Sequence, residues 1–112
     1  MNYQAIQLNN ELSKISDYWS PKVIGELNDY QFKLIKIAGD FMWHSHEDTD
    51  KVFIVLEGEM LIDFRDGQVK VSKGEMFIIP KGVENKPSAE KESFIMLVEP
   101  KGEVNTVDTV GR

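Results

Sequence analysis

Asp66-Gly67 stands between two short apolar runs, 60–64 and 68–71, and no other short-range signal in the chain constrains its path as strongly. Asp-Gly readily takes the left-handed backbone of a tight two-residue turn, so the flanking runs fold back on each other as a β-hairpin around Arg65-Asp66-Gly67. Similar punctuation recurs along the chain. Asn28-Asp29 separates a short strand at 23–27 from a longer one at 30–37, and Gly39-Asp40 leads into an expected strand at 41–46. Glu57-Gly58 closes the apolar run 52–56, Ser72-Lys73-Gly74 precedes 76–79, Pro80-Lys81-Gly82 follows it, and 94–98 is the last strand expected. In 30–37, Tyr30, Phe32 and Leu34 alternate with Gln31 and Lys33 until Ile35 breaks the pattern, which predicts a bulge or burial on both faces. About nine short strands with almost no helix predict an all-β fold, an antiparallel barrel or double-sheet jelly roll. The chain contains no long internal repeat, which excludes solenoids and propellers.

Residues 1–20 differ from the rest: Leu8, Leu12, Ile15 and Trp19 recur at helical spacing. A short helix is expected at 10–17, with Asn10 as its N-cap and an end before Ser20-Pro21, where proline disfavours helical geometry in its predecessor. Its role would be to cover a sheet edge or barrel end, with Trp19 as packing. The expected organisation is a helical lead at 1–20, a barrel at 21–100 and a polar tail at 101–112. A length of 112 residues suits one domain, and a net charge of −6 disfavours nucleic acid and anionic membranes as partners. With no cysteine, thiolate chemistry and disulfides are excluded, and with neither a leader pattern nor a long apolar run the expected location is the cytoplasm.

The chemistry-bearing feature is His44-Ser45-His46, which holds both histidines of the chain. In a strand, residues two apart project from one face, so both imidazoles would reach one point inside the barrel, a geometry that suits a divalent metal. Alone, the tripeptide is more often a surface or hydrogen-bonded pair than a ligand pair. Met42 shares the face of His44 on this reading and either lines the pocket or packs in the core, while Phe41 and Trp43 face away. The acidic stretch Glu47, Asp48 and Asp50 reads as a solvated loop. The run 52–56 is continuous enough to be buried on both faces, with Phe53 and Val55 on the side of Lys51, lining the interior, and Val52, Ile54 and Leu56 outward. An apolar outward face needs a cover.

Gly39, His44-Ser45-His46 and Gly58 resemble the first motif of the cupins, and Gly74, Pro80-Lys81-Gly82 and Asn85 resemble the second. The resemblance runs from about Trp19 to Gly102 and is nearest to small stand-alone cupins labelled similar to mannose-6-phosphate isomerase, a label that does not itself imply isomerase activity. It implies a cupin barrel that commonly dimerises, and a divalent metal (zinc, iron, nickel or manganese) held in part by His44 and His46. Two positions depart from the family pattern. Lys51 stands where the motif places glutamate and Asn85 where it places histidine, so the metal is expected to be weakly held or absent. Three readings remain open: a weak site completed by water or Asp50, a metal-free pocket in which Lys51 supplies the positive charge for an anionic ligand, or a degenerate barrel with Lys51 in solvent. The favoured expectation is a small-molecule-binding protein with a pocket lined by Lys51, Asn85, Met42 and Phe53. The alternative is a metal-dependent enzyme of the sugar isomerase or oxygenase type.

Overall fold

The computed structural model describes residues 2–103. Among these the chain forms one helix, α1 (Leu8–Ser13), and seven strands: β1 (Lys22–Leu27), β2 (Tyr30–Asp40), β3 (Lys51–Glu57), β4 (Glu59–Phe64), β5 (Gly67–Ser72), β6 (Met76–Ile79) and β7 (Lys86–Pro100). The hairpin forms at the expected place, with Phe64 opposite Gly67 and Arg65 and Asp66 in the turn, but Gly67 already begins β5 and neither it nor Asp66 takes the left-handed backbone. All strand pairs are antiparallel, in the order β1-β2-β7-β3-β6, and β4 with β5 joins through the first part of β7. β7 therefore belongs to both layers, and the result is the expected jelly-roll barrel. Its core gathers Ile35 and Ile37 of β2, Phe53 and Val55 of β3, Met60 and Ile62 of β4, and Ile95 and Leu97 of β7.

Four expectations are corrected. The helix occupies Leu8–Ser13 rather than 10–17, and Asn10 lies inside it, donating its side-chain amide to Gln7 Oε1 at 2.7 Å instead of capping. It ends early because the chain is drawn onto β2: Tyr18 bridges to Lys36, and Trp19 N donates to Lys36 O at 2.8 Å. Residues 41–46 are not a strand, because β2 runs on to Asp40 and the segment then crosses the barrel mouth, touching the sheet only through a bridge between His44 and Asn85. β3 is not buried evenly on both faces. Lys51, Phe53 and Val55 are buried while Val52, Ile54 and Leu56 are only half-covered, an inward set that matches the expected facing. Finally, the last strand begins at Lys86, eight residues before the expected start, giving seven strands rather than about nine.

β2 is buried on both faces at Lys33, Leu34 and Ile35, and its register slip against β7 falls later, between Ile37 and Gly39, where β7 bulges outward through Glu90, Lys91 and Glu92. Leu34 points away from the barrel, and α1 packs against β2 on that side with Leu12 buried. At the β3–β4 turn, Gly58 takes φ +83, and any Cβ there would overlap the buried Ser93 side chain, so the position demands glycine.

Candidate functional site

Two backbone ladders build the barrel mouth. His44 N donates to Asn85 O at 3.0 Å and Asn85 N returns a bond to His44 O at 2.9 Å. Gly82 N, in the Pro80-Lys81-Gly82 turn at φ +78, donates to His46 O at 2.8 Å. The histidine segment is thus pinned to the 80–85 segment by main chain, and its two rings meet edge to face with centroids 5.4 Å apart.

Each imidazole is oriented by an acceptor. His44 Nδ1 lies 3.0 Å from Met42 O, a carbonyl that can only accept, so Nδ1 carries the proton and Nε2 the lone pair. His46 Nδ1 lies 3.0 Å from Glu103 Oε1 and donates to that carboxylate. Burial, helped by the nearby Lys51 and His46, pushes His44 down to about 4 despite the opposing bond to Met42, so its ring is neutral at pH 7.

Beside His44 is a cavity of about 20 Å³, walled by Trp19, Ile35, Phe41, His44, Lys51, Phe53, Pro87 and Leu97. That is room for about one water molecule. Its outer wall is an aromatic stack, Trp19 on Phe41 with centroids 5.0 Å apart. Trp19 holds a left-handed backbone, φ 59, and its indole Nε1 donates to Ala38 O at 2.9 Å. A larger groove of about 390 Å³ lies elsewhere, between Gly58–Leu61 side chains and the β7 bulge, away from both histidines.

The sequence-predicted residues fall as follows. Lys51, only 4% exposed, and Phe53 line the cavity with His44, and the Lys51 ammonium sits 5.2 Å from the Phe53 ring centroid. Asn85 is buried but stands behind this wall, its amide donating to Val83 O and His44 O while Oδ1 has no hydrogen-bond partner among the described residues. Met42 is outside: it is exposed, and Phe41, expected to face away, takes the inner place. Alternation fails there because 41–46 is not a strand. Asp50, the suggested replacement ligand, is exposed and accepts from Lys81 N at 2.8 Å. Trp19 lines the cavity as well as packing.

Sequence reasoning missed the charges behind Lys51. Lys33 and Glu99, 7% and 0% exposed, form an ion pair of 2.9 Å on the inner face, and Lys33 Nζ reaches Glu103 O at 3.5 Å. Burial lowers Lys51 to about 8, with Glu99 and Glu103 opposing that shift and Lys33 adding to it. The signal was available: Ile95, Leu97 and Glu99 continue one period-two series, as do Lys33, Ile35 and Ile37.

A divalent metal, expected from the resemblance to be weakly held or absent, would find only part of a ligand set here. Two oriented imidazoles fit it. Lys51 brings a competing ammonium to the same wall, and among the described residues no three His, Asp or Glu side chains form a metal-binding group. These residues do not compose a complete site.

The comparisons with known proteins agree with this architecture. The cupin domain family matches residues 33–105. A crystal structure of a cupin-2 domain containing protein from Shewanella frigidimarina is 54% identical with a TM-score of 0.85, covering 86% of this chain and 94% of that one. The uncharacterized protein YdbB of Bacillus subtilis is 40% identical over 79 residues, 70% of each chain. An acireductone dioxygenase from Puccinia graminis is 32% identical over 82 residues, 68% of this chain but 42% of that enzyme. With motif segments, barrel and family match in agreement, the chain belongs to the cupin domain family.

Proposed function

We propose that this protein is a small-molecule-binding cupin with a residual metal site, in which the His44 and His46 imidazoles remain and Lys51 supplies a fixed positive charge beside them. The observation that carries this reading is Lys51, an almost fully buried ammonium on the wall of the cavity that also holds His44. A lysine held on a cavity wall offers a charge-assisted donor that an anionic group recognises. The cavity as it stands admits little more than water, so a ligand enters by shifting the Trp19–Phe41 stack. Lys51 and Asn85 are read as substitutions of two metal-ligand positions, within the subgroup labelled mannose-6-phosphate isomerase-like but without assigning that activity. The partners are a small molecule inside and a second copy of the chain outside, with nucleic acid disfavoured by the net charge of −6. A cytoplasmic location goes with this reading, and among the described residues no helix is long and apolar enough to cross a membrane.

The test is zinc titration of tag-free protein against a Lys51→Glu, Asn85→His double variant. The variant is expected to bind at least about tenfold tighter, since it restores a carboxylate and an imidazole to the pair. Equal affinity would show that the two positions are not the substituted ligands.

A second reading, a metal-dependent enzyme acting on a small organic substrate, draws on the orientation of His44, whose Nδ1 proton is on Met42 O so that its Nε2 carries the lone pair a metal would take. Near-stoichiometric zinc, iron, nickel or manganese in the purified wild type would favour it over the first.

A further inference from the structure

The barrel mouth holds a carboxylate that belongs to no strand. Glu103 follows the end of β7, and its Oε1 takes the Nδ1 proton of His46 at 3.0 Å while its main-chain oxygen lies 3.5 Å from Lys33 Nζ. It acts on Lys51 as an attractive charge, as Glu99 does. The two glutamates differ in how firmly they are held. Glu99 is 0% exposed, fixed in β7, the strand between β2 and β3, and paired with Lys33. The Glu103 side chain is 21% exposed, and its backbone tie to Pro100 O is long, 3.4 Å. The last short backbone bond before it is Lys101 N to Asp29 O, 2.8 Å, and Gly102 lies between at φ +87. Among the described residues Glu103 is held by one short hydrogen bond, to His46, and two long ones, to Lys33 and Pro100, with Gly102 at the joint before it.

We infer that Glu103 occupies the seat of the ligand's own carboxylate, and that a small organic carboxylate binds by displacing it. This rests on reading the mouth as a small-molecule site. An imidazole N–H is a donor a carboxylate recognises, and the Glu103 carboxylate is seated on that of His46, with the Lys33 ammonium 3.5 Å from the main-chain oxygen of the same residue. Withdrawing Glu103 makes the mouth more positive by one unit, whatever else surrounds the cluster. Lys51 links this seat to the wall of Trp19, Phe41, Phe53 and Leu97, which suits an apolar body attached to the acid.

The experiment titrates benzoate, and benzamide as its neutral counterpart, into wild type and Glu103→Gln by calorimetry. Glutamine keeps the size and an acceptor oxygen but not the charge. Benzoate is expected to bind the variant about tenfold tighter than wild type, the scale of one unit charge in a partly buried site, with no such gain for benzamide. Equal or weaker benzoate binding by the variant overturns the competition while leaving the small-molecule reading intact. Absence of benzoate binding to both proteins, or an equal gain for benzamide, overturns the carboxylate seat itself; zinc titration of the double variant then reports separately on the metal-site reading.

Discussion

At the scale of single residues, His44 links the site to the stability of the barrel. Its ring stays neutral down to about pH 4 in the fold, while in the unfolded chain it takes a proton near its ordinary value of 6.5. Between those values the unfolded state binds a proton that the folded state refuses. Stability is therefore expected to fall as pH drops from 6.5 to about 4, and to gain nothing more from this group above 6.5. The check is a series of urea denaturations across that window for wild type and His44→Gln, whose amide retains a donor for Met42 O. The variant is expected to lose part of the slope, and an identical slope would assign the acid sensitivity to other groups. His44, Lys51 and Phe53 were legible as neighbours because strand β3 and a two-residue spacing are local patterns. Phe41 and Met42 exchanged roles because the path of 41–46 is set by the distant Asn85 and Gly82, to which it is bonded. Lys33 and Glu99 were hidden by a reasonable prior, that charged residues face water, which a buried pair violates.

At the scale of elements, α1 matters for what it covers. β2 carries apolar residues outward as well as inward, and Leu34, 0% exposed, is on the outer side. Leu12 is the buried residue of α1, and the helix packs against β2. Leu12→Ala is expected to cost about 2 kcal/mol, the low end for a buried leucine at the rim of a core, read as a lower urea midpoint with unchanged slope. A loss under about 0.5 kcal/mol would show that α1 does not seal β2. The helix was visible in the spacing of Leu8 and Leu12, but its end was not, because the pairing of Tyr18 and Trp19 with Lys36 is a tertiary event. The first part of β7 was illegible for a different reason. Its inward positions are filled by Pro87 and Ala89 rather than large β-formers, and a proline within a polar stretch argues against a strand. The structure tolerates it because Pro87 contributes its carbonyl, accepting from Phe41 N at 2.9 Å.

At the scale of the whole molecule, the outward face of the β2-β7-β3-β6 layer sets the expected assembly. Register places Ile78, Val52, Val98 and Phe32 side by side in one row, and Met76, Ile54, Met96 and Leu34 in the next. Neither row contains a charge, and the second ends beneath α1, while Met76 and Ile78 at the β6 end are 60% and 50% exposed. An uncharged apolar face is self-complementary, so a second copy related by a two-fold axis can stack on it sheet to sheet, burying like against like. A partner of opposite charge would gain nothing there. The chain of 12.8 kDa is therefore expected to sediment as a dimer at micromolar concentration, and Ile78→Asp to sediment as a monomer with an unchanged far-ultraviolet spectrum. Aspartate on this face leaves the backbone edge of β6 intact, so a variant that stays dimeric would point to edge-to-edge pairing through β6 or β1 instead. A monomeric wild type would leave the face without a second copy and overturn the assembly.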